Sequence, residues 1–209
     1  MASSGIILFG GTFDPPHRAH AALPPLAAEA LGCDRLIYIP AAINPLKTDA
    51  PPASALHRLA MLEIATADIS IASISTVELE RDGPSYFVDT AAHFRERTPA
   101  GTPLRFLIGS DQAASFHRWK DWRRILELAE PAVMIRPPVD RDAMLRAIED
   151  SPAASLHEFW DAHLLKLPLI DTSSTDVRRL LERGDVPGEL LDPRVAAYIE
   201  AHDLYRTSA

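Results

Sequence analysis

The stretch Ile6-Ile7-Leu8-Phe9-Gly10-Gly11-Thr12-Phe13-Asp14-Pro15-Pro16-His17-Arg18-Ala19-His20 decides how the chain reads. Its first four residues are an uninterrupted apolar run, the pattern of a strand buried on both faces, and the run stops at a glycine pair that turns the chain. Glycine lets backbone come close to an anion, and the free N–H groups and dipole of the helix start that follows favour negative charge. His17 and His20, three apart, add two side-chain donors facing one way. A transferring phosphoryl centre needs positioned donors rather than a covalent partner, so this segment suits in-line attack at a nucleotide phosphate. The bland alternative is a tight turn with two incidental histidines. Neither Gly-x-x-x-x-Gly-Lys-Ser/Thr nor Gly-x-Gly-x-x-Gly follows this strand, which argues against a kinase-like NTPase and a dehydrogenase.

Outward from that segment, strand and helix patterns alternate. Helical character over Leu26 to Leu31 precedes a strand at Arg35 to Ile39, and Ser54 caps a helix whose Leu56, Leu59, Leu62 and Ala65 share a face. Ile69 to Val77 alternates as a half-buried strand does, Arg81-Asp82-Gly83-Pro84 turns the chain, and a helix runs to about Arg95. Strands are expected at Leu104 to Ile108, Ala132 to Ile135 and Leu164 to Ile170, and helices at Trp122 to Ala129, Asp140 to Glu149 and Thr175 to Leu181. Asp192-Pro193 opens a last helix. This alternation predicts an α/β fold with a mostly parallel sheet, helices on both faces, and ligands beyond the carboxyl ends of the strands. One domain over residues 1–209 is expected, with 171–209 as a helical C-terminal portion.

That portion carries a second anion site. Ser173-Ser174-Thr175-Asp176-Val177-Arg178 puts hydroxyls at a helix start and a guanidinium within its first turns, although a plain cap, with Asp176 completing a capping box on Ser173, reads equally well. The charge balance of 21 basic against 29 acidic residues disfavours general nucleic-acid binding, so an anionic ligand needs a local basic cluster. No apolar run approaches the ~18 residues of a membrane span and no basic-then-apolar leader opens the chain. The lone Cys33 reads as packing, and a cytoplasmic protein is expected.

The two motifs together resemble the Gly-Gly-x-Phe-Asp-Pro-x-His-x-Gly-His and Ser-Ser-Thr-x-x-Arg signatures of the bacterial nicotinate mononucleotide adenylyltransferases. The similarity spans nearly the whole chain, through Asn44-Pro45-Leu46-Lys47, His57-Arg58, Met61-Leu62, Gly83-Pro84-Ser85-Tyr86, Val88-Asp89-Thr90, Ile108-Gly109-Ser110-Asp111, Trp119, Trp122, Arg136-Pro137, Tyr198-Ile199 and Leu204-Tyr205. The resemblance implies a Rossmann-like nucleotidyltransferase fold that joins ATP and nicotinate mononucleotide, with Mg²⁺, to give nicotinate adenine dinucleotide and pyrophosphate. On it, His17, His20 and Arg178 are the catalytic set, and Gly10, Gly11, Thr12, Phe13, Lys47, Asp111, Ser173, Ser174 and Thr175 bind ATP. Trp119 stacks on the pyridine ring, while backbone N–H groups around Tyr86 and Phe87 receive the nicotinate carboxylate. The ion rides on the ATP phosphates without named protein ligands, and a homo-oligomer is left open.

Five residues depart from the family pattern. Ala19 replaces a glycine between the histidines, Pro24-Pro25 falls where the family helix is unbroken, Phe87 replaces a threonine and Thr172 an aliphatic residue. A kink, or a helix restarting near Leu23, is expected at the prolines. The rival readings are a relative with another acceptor (pantetheine phosphate or nicotinamide mononucleotide) and a silent nucleotide-binding regulator.

Overall fold

The computed structural model describes residues 5–43 and 53–206. Among them, β1 (Gly5–Gly11), β2 (Cys33–Pro40), β3 (Ala72–Ile74), β4 (Leu104–Gly109) and β5 (Glu130–Met134) form one parallel sheet in the order β3-β2-β1-β4-β5. The connecting helices are α1 (Arg18–Ala30), α2 (Ala55–Thr66), α3 (Phe87–Arg97), α4 (Ser110–Ala114), α5 (Trp122–Leu128), α6 (Arg141–Glu149) and α7 (His157–Ala162), followed by α8 (Ser174–Glu182) and α9 (Pro193–Ala201). This is the parallel α/β sheet expected from the alternation and the Rossmann-like architecture that the resemblance implies.

The continuous apolar run of β1 is explained by coverage on both sides. Ile6 and Leu8 join Ile37, Phe106, Val88 of α3 and Met144 of α6 in one core, while Ile7 and Phe9 join Leu36, Leu107 and Leu23 and Ala27 of α1 in the other. Each fully buried aliphatic side chain contributes about 1.5–3 kcal/mol, so β1 is anchored from both faces. Cys33 packs in the second core, as its apolar neighbours imply. The chain winds outward from β1 through β2 to β3, then returns to the far side of β1 with β4. The strand order therefore reverses between β1 and β4, where open α/β sheets leave a crevice at their carboxyl ends.

Four local expectations are corrected. Leu164 to Ile170 is not a strand: Leu164 alone forms a parallel bridge to Val133, and Pro168, lacking an N–H, ends any ladder. Strand β3 keeps only three residues of Ile69 to Val77, because the Ile69 and Ala72 amides are spent on turns to Thr66 and Ile69. The helix placed at Leu26 to Leu31 begins eight residues earlier, at Arg18 (26 − 18), and α1 runs unbroken through Pro24 and Pro25. Ala19 lies in its first turn and is not among the residues with positive φ, so the helix accepts alanine there.

The fourth correction concerns α2, whose N-cap Ser54 accepts from the His57 amide as expected. Its buried stripe is Arg58, Met61, Leu62 and Thr66, whereas Leu56 is 79% exposed. The reason is Arg58. Its guanidinium, 1% exposed, donates to the carbonyls of Thr12 at 2.7 Å, Ala53 at 3.1 Å and Ala42 at 3.5 Å, tying the loop after β1 to the segment after β2. Replacing Arg58 by Met should lower the unfolding free energy by at least about 2 kcal/mol, since hydrogen bonds to a charged group contribute about 1.5–3 kcal/mol and three carbonyls lose their donor. Urea denaturation measures this, and a loss under about 0.5 kcal/mol would contradict the role given to the guanidinium.

Candidate active site

At the switch point opens a cleft of about 1200 Å³. Its floor is the loop after β1. At Gly11 an added β-carbon would press on the Phe13 ring at 3.0 to 3.3 Å, and Phe13, at φ 50°, folds that ring beneath the loop. Phe13 is 1% exposed, so its side chain shapes the loop from beneath and only its backbone is open to a ligand.

The two motifs, far apart in sequence, meet. Ser174 Oγ donates to the Pro15 carbonyl at 2.9 Å, and Arg178 Nη1 donates to the Asp14 carbonyl at 2.6 Å. The Asp14 carboxylate, 5% exposed, accepts from Tyr205 Oη at 2.6 Å and from the Ala53 amide at 3.1 Å. The loop is thereby fastened to α8 and to the end of the described chain. At the start of α8, Ser173 is the N-cap and accepts from the Asp176 amide at 3.1 Å, and its hydroxyl donates to the Asp176 carboxylate at 2.5 Å. The capping role and the cleft lining coexist. Thr175 is exposed and its hydroxyl accepts from Arg178 at 3.4 Å.

The histidines open α1. His17 is the N-cap, His20 lies in the first turn, and their rings stack with centroids 3.7 Å apart. The His17 amide donates to His20 Nδ1 at 3.2 Å, so a neutral His20 carries its proton on Nε2 and offers it as a donor. Burial holds the His17 imidazole down to about 3, with the Arg136 guanidinium acting in the same direction and Asp176 opposing. His17 is therefore uncharged at neutral pH.

Asp111 follows β4 and is 3.6 Å from the Arg136 guanidinium, which follows β5. Gly109 is glycine because a β-carbon there would collide with Asp111 Oδ1. On the remaining wall Phe87 meets Trp119 edge to face at 5.6 Å, and Lys120 Nζ lies 4.3 Å over the Tyr86 ring. The Tyr86 amide donates to the Pro84 carbonyl at 3.0 Å and is engaged, so donors on this wall come from the first turn of α3, from Phe87 onward. Trp122 packs against the core, with its ring 6.5 Å from Phe116.

Every predicted site residue among those described lines this one cleft, while Lys47 lies outside the described residues. Among the described residues, the buried side-chain polar atoms without a partner are Thr12 Oγ1, both ring nitrogens of His17, Asp111 Oδ1, Trp119 Nε1, Thr172 Oγ1 and Trp160 Nε1. All but Trp160 belong to the cleft wall. An unsatisfied buried polar group costs about 1–3 kcal/mol, so their gathering in one place marks where a ligand supplies the missing partners.

A family model described as cytidylyltransferase-like matches residues 8–180. A "Probable nicotinate-nucleotide adenylyltransferase" of Bordetella pertussis is 39% identical over 211 residues, covering 99% of this chain and all of the relative. A protein of the same name from Prosthecochloris aestuarii is 38% identical over 206 residues, covering 96% and 97%. The chain belongs to the nicotinate-nucleotide adenylyltransferase family. At the level of fold, the Plasmodium falciparum nicotinic acid mononucleotide adenylyltransferase complexed with NaAD superposes with a TM-score of 0.71 at 18% identity, over 97% of this chain and 98% of that one. The same protein complexed with APC gives 0.69.

In this member of the adenylyltransferase family, several cleft residues had no role assigned from the sequence. Arg136 entered only as part of the Arg136-Pro137 resemblance without a role, yet a cation after a strand that opens on the switch point is itself a signal. Glu78 is 4% exposed, accepts from Thr90 Oγ1 at 2.6 Å, and burial pushes its carboxyl above the usual carboxylate range. Asp14, Arg58 and Tyr205 act through contacts between distant segments that no local pattern encodes.

A histidine harder to protonate when folded than when unfolded stabilises the fold fully above its unfolded value of 6.5, and that stability is lost as pH falls toward about 3. The slope is about 1.4 kcal/mol per pH unit for one such group. His17→Asn should flatten the loss of stability measured by urea unfolding between about pH 6.5 and pH 4.5. Equal losses in the two proteins would show that His17 is not held neutral.

Proposed function

We infer that the protein transfers the adenylyl group of ATP to nicotinate mononucleotide, releasing pyrophosphate. The observation that carries this is the gathering of unpartnered polar atoms in a single cleft where the glycine–histidine loop and the serine-rich start of α8 are hydrogen-bonded to each other. Support comes from the names of the bacterial relatives and from the Plasmodium neighbour complexed with NaAD.

On this reading the mononucleotide phosphate oxygen attacks the α-phosphorus of ATP. The new P–O bond forms as the bond to the β-phosphate oxygen breaks, and that electron pair leaves with pyrophosphate. His17 and His20 Nε2–H donate to the phosphate oxygens around the α-phosphorus, and Arg178 with the first-turn amides and hydroxyls of α8 receives the β and γ end. Gly10, Gly11 and Thr12 line the phosphate path and Asp111 Oδ1 accepts from nucleotide ribose. Lys47 is proposed to approach the same phosphates. Trp119 stacks on the pyridine ring, and amides from Phe87 onward meet the carboxylate.

Among the described residues no group of three or more His, Cys, Asp or Glu side chains is arranged to hold an ion. The cleft offers the phosphates cations and N–H donors, which fits Mg²⁺ carried by ATP, its sphere completed by phosphate oxygens and water. The proposal of a single domain over 1–209 is supported by Val177, Val195 and Ile199, which share a core with Met61 of α2. No described helix is long and apolar enough to cross a membrane. Cytoplasm, where ATP and a reducing milieu for Cys33 coexist, is the proposed location.

Purified protein with ATP and Mg²⁺ should release pyrophosphate fastest with nicotinate mononucleotide, ahead of its amide and of phosphopantetheine. Preference for phosphopantetheine, or no turnover with any of the three, would reject the reading. His20→Ala should lower kcat by roughly a hundredfold or more, by analogy with losing one oxyanion donor, ~2.7–4 kcal/mol. Parental turnover in that variant would remove His20 from the chemistry.

A further inference from the structure

Helix α1 carries Pro24 and Pro25 in its interior. In an α-helix the amide at position 24 donates to the carbonyl at position 20, and proline has no such amide. The carbonyl deprived is that of His20. In this chain it receives the Tyr38 hydroxyl from β2 at 2.9 Å. Tyr38 is 0% exposed, and burial raises the pKa of its phenol, which remains a protonated donor at neutral pH.

The same tyrosine supports the His20 ring from below. Tyr38 packs edge-on against Phe9 at 5.7 Å and Phe13 at 6.0 Å, and these two rings meet the His20 imidazole at 5.9 and 5.0 Å. His20 is thus fixed at its ring by two aromatic edges and the His17 amide, and at its backbone by a hydroxyl from the neighbouring strand.

We propose that Tyr38 is a positioning residue for His20: its hydroxyl replaces the helical donor that Pro24 lacks and holds the His20 peptide, and with it the imidazole, in register with the phosphate path. The inference rests on the adenylyl-transfer reading for its effect on rate and on geometry alone for its effect on His20. The prolines, which ordinarily weaken a helix, make His20 depend on the strand beneath it, so the catalytic donor is fixed to the sheet rather than to α1 alone.

A double-substitution cycle separates the hydroxyl from mere packing. Tyr38→Phe keeps the ring and should lower kcat roughly tenfold or more with little change in KM for ATP, since small displacements of a catalytic group are costly to rate. Pro24→Ala restores an amide and should leave kcat unchanged. Adding Pro24→Ala to Tyr38→Phe should return kcat to within about threefold of the parent, because the new amide reaches the His20 carbonyl. The His20 imidazole resonances should move in Tyr38→Phe and return in the double variant, a readout independent of turnover. An inactive parent protein would count against the adenylyl-transfer reading alone. Unmoved His20 resonances, an unaltered kcat in Tyr38→Phe, or a double variant as slow as Tyr38→Phe would overturn the role of Tyr38. If Tyr38→Phe is too unstable to assay, the double variant decides by whether the His20 signals and kcat match those of Pro24→Ala.

Discussion

Two hydrogen bonds spanning 159 and 164 residues of sequence, Ser174 to the Pro15 carbonyl and Arg178 to the Asp14 carbonyl, hold the cleft in its shape. Neither motif makes a polyphosphate site alone. The loop after β1 offers backbone and two stacked histidines, whereas α8 brings the guanidinium and a helix start. Docking the second on the first brings both into one cleft. Buried Arg58 supports the loop from beneath, and the Asp14 carboxylate, with Tyr205 as donor, ties it to the chain's end.

The chain is acidic overall, with 21 basic against 29 acidic residues, and the cleft sets its cations beside carboxylates: Arg136 lies 3.6 Å from Asp111 and Arg178 3.8 Å from Asp14. The overall negative charge disfavours a nucleic-acid backbone as ligand. The neutral state of His17 fits this arrangement. Buried and with the Arg136 charge nearby, a protonated imidazole would be costly, and its ring nitrogens have no partner within the protein.

Much of the fold was legible because it is written in local pattern. The apolar run of β1, its glycine stop and the caps Ser54, Ser173 and Asp192 all appear where short-range chemistry puts them. What was not legible depends on partners distant in sequence. Leu164 to Ile170 has strand composition but passes a strand edge with Pro168 in the way, and α2 buries a guanidinium where a leucine face was expected, because three carbonyls from other segments needed a donor. Helix α1 runs through two prolines, and the His20 carbonyl that Pro24 leaves without a helical donor is met by a hydroxyl on β2. The motif residues of the site were readable, whereas the contacts by which Asp14, Tyr205 and Arg136 shape it were not.

Hydrogen exchange, read by mass spectrometry with and without a non-hydrolysable ATP analogue and Mg²⁺, tests the central claim most directly. The account predicts that peptides covering residues 10–20 and 172–178 gain protection together and at the same analogue concentration. Protection of one stretch without the other, or of a surface away from both, would contradict a single polyphosphate path shared by the two motifs.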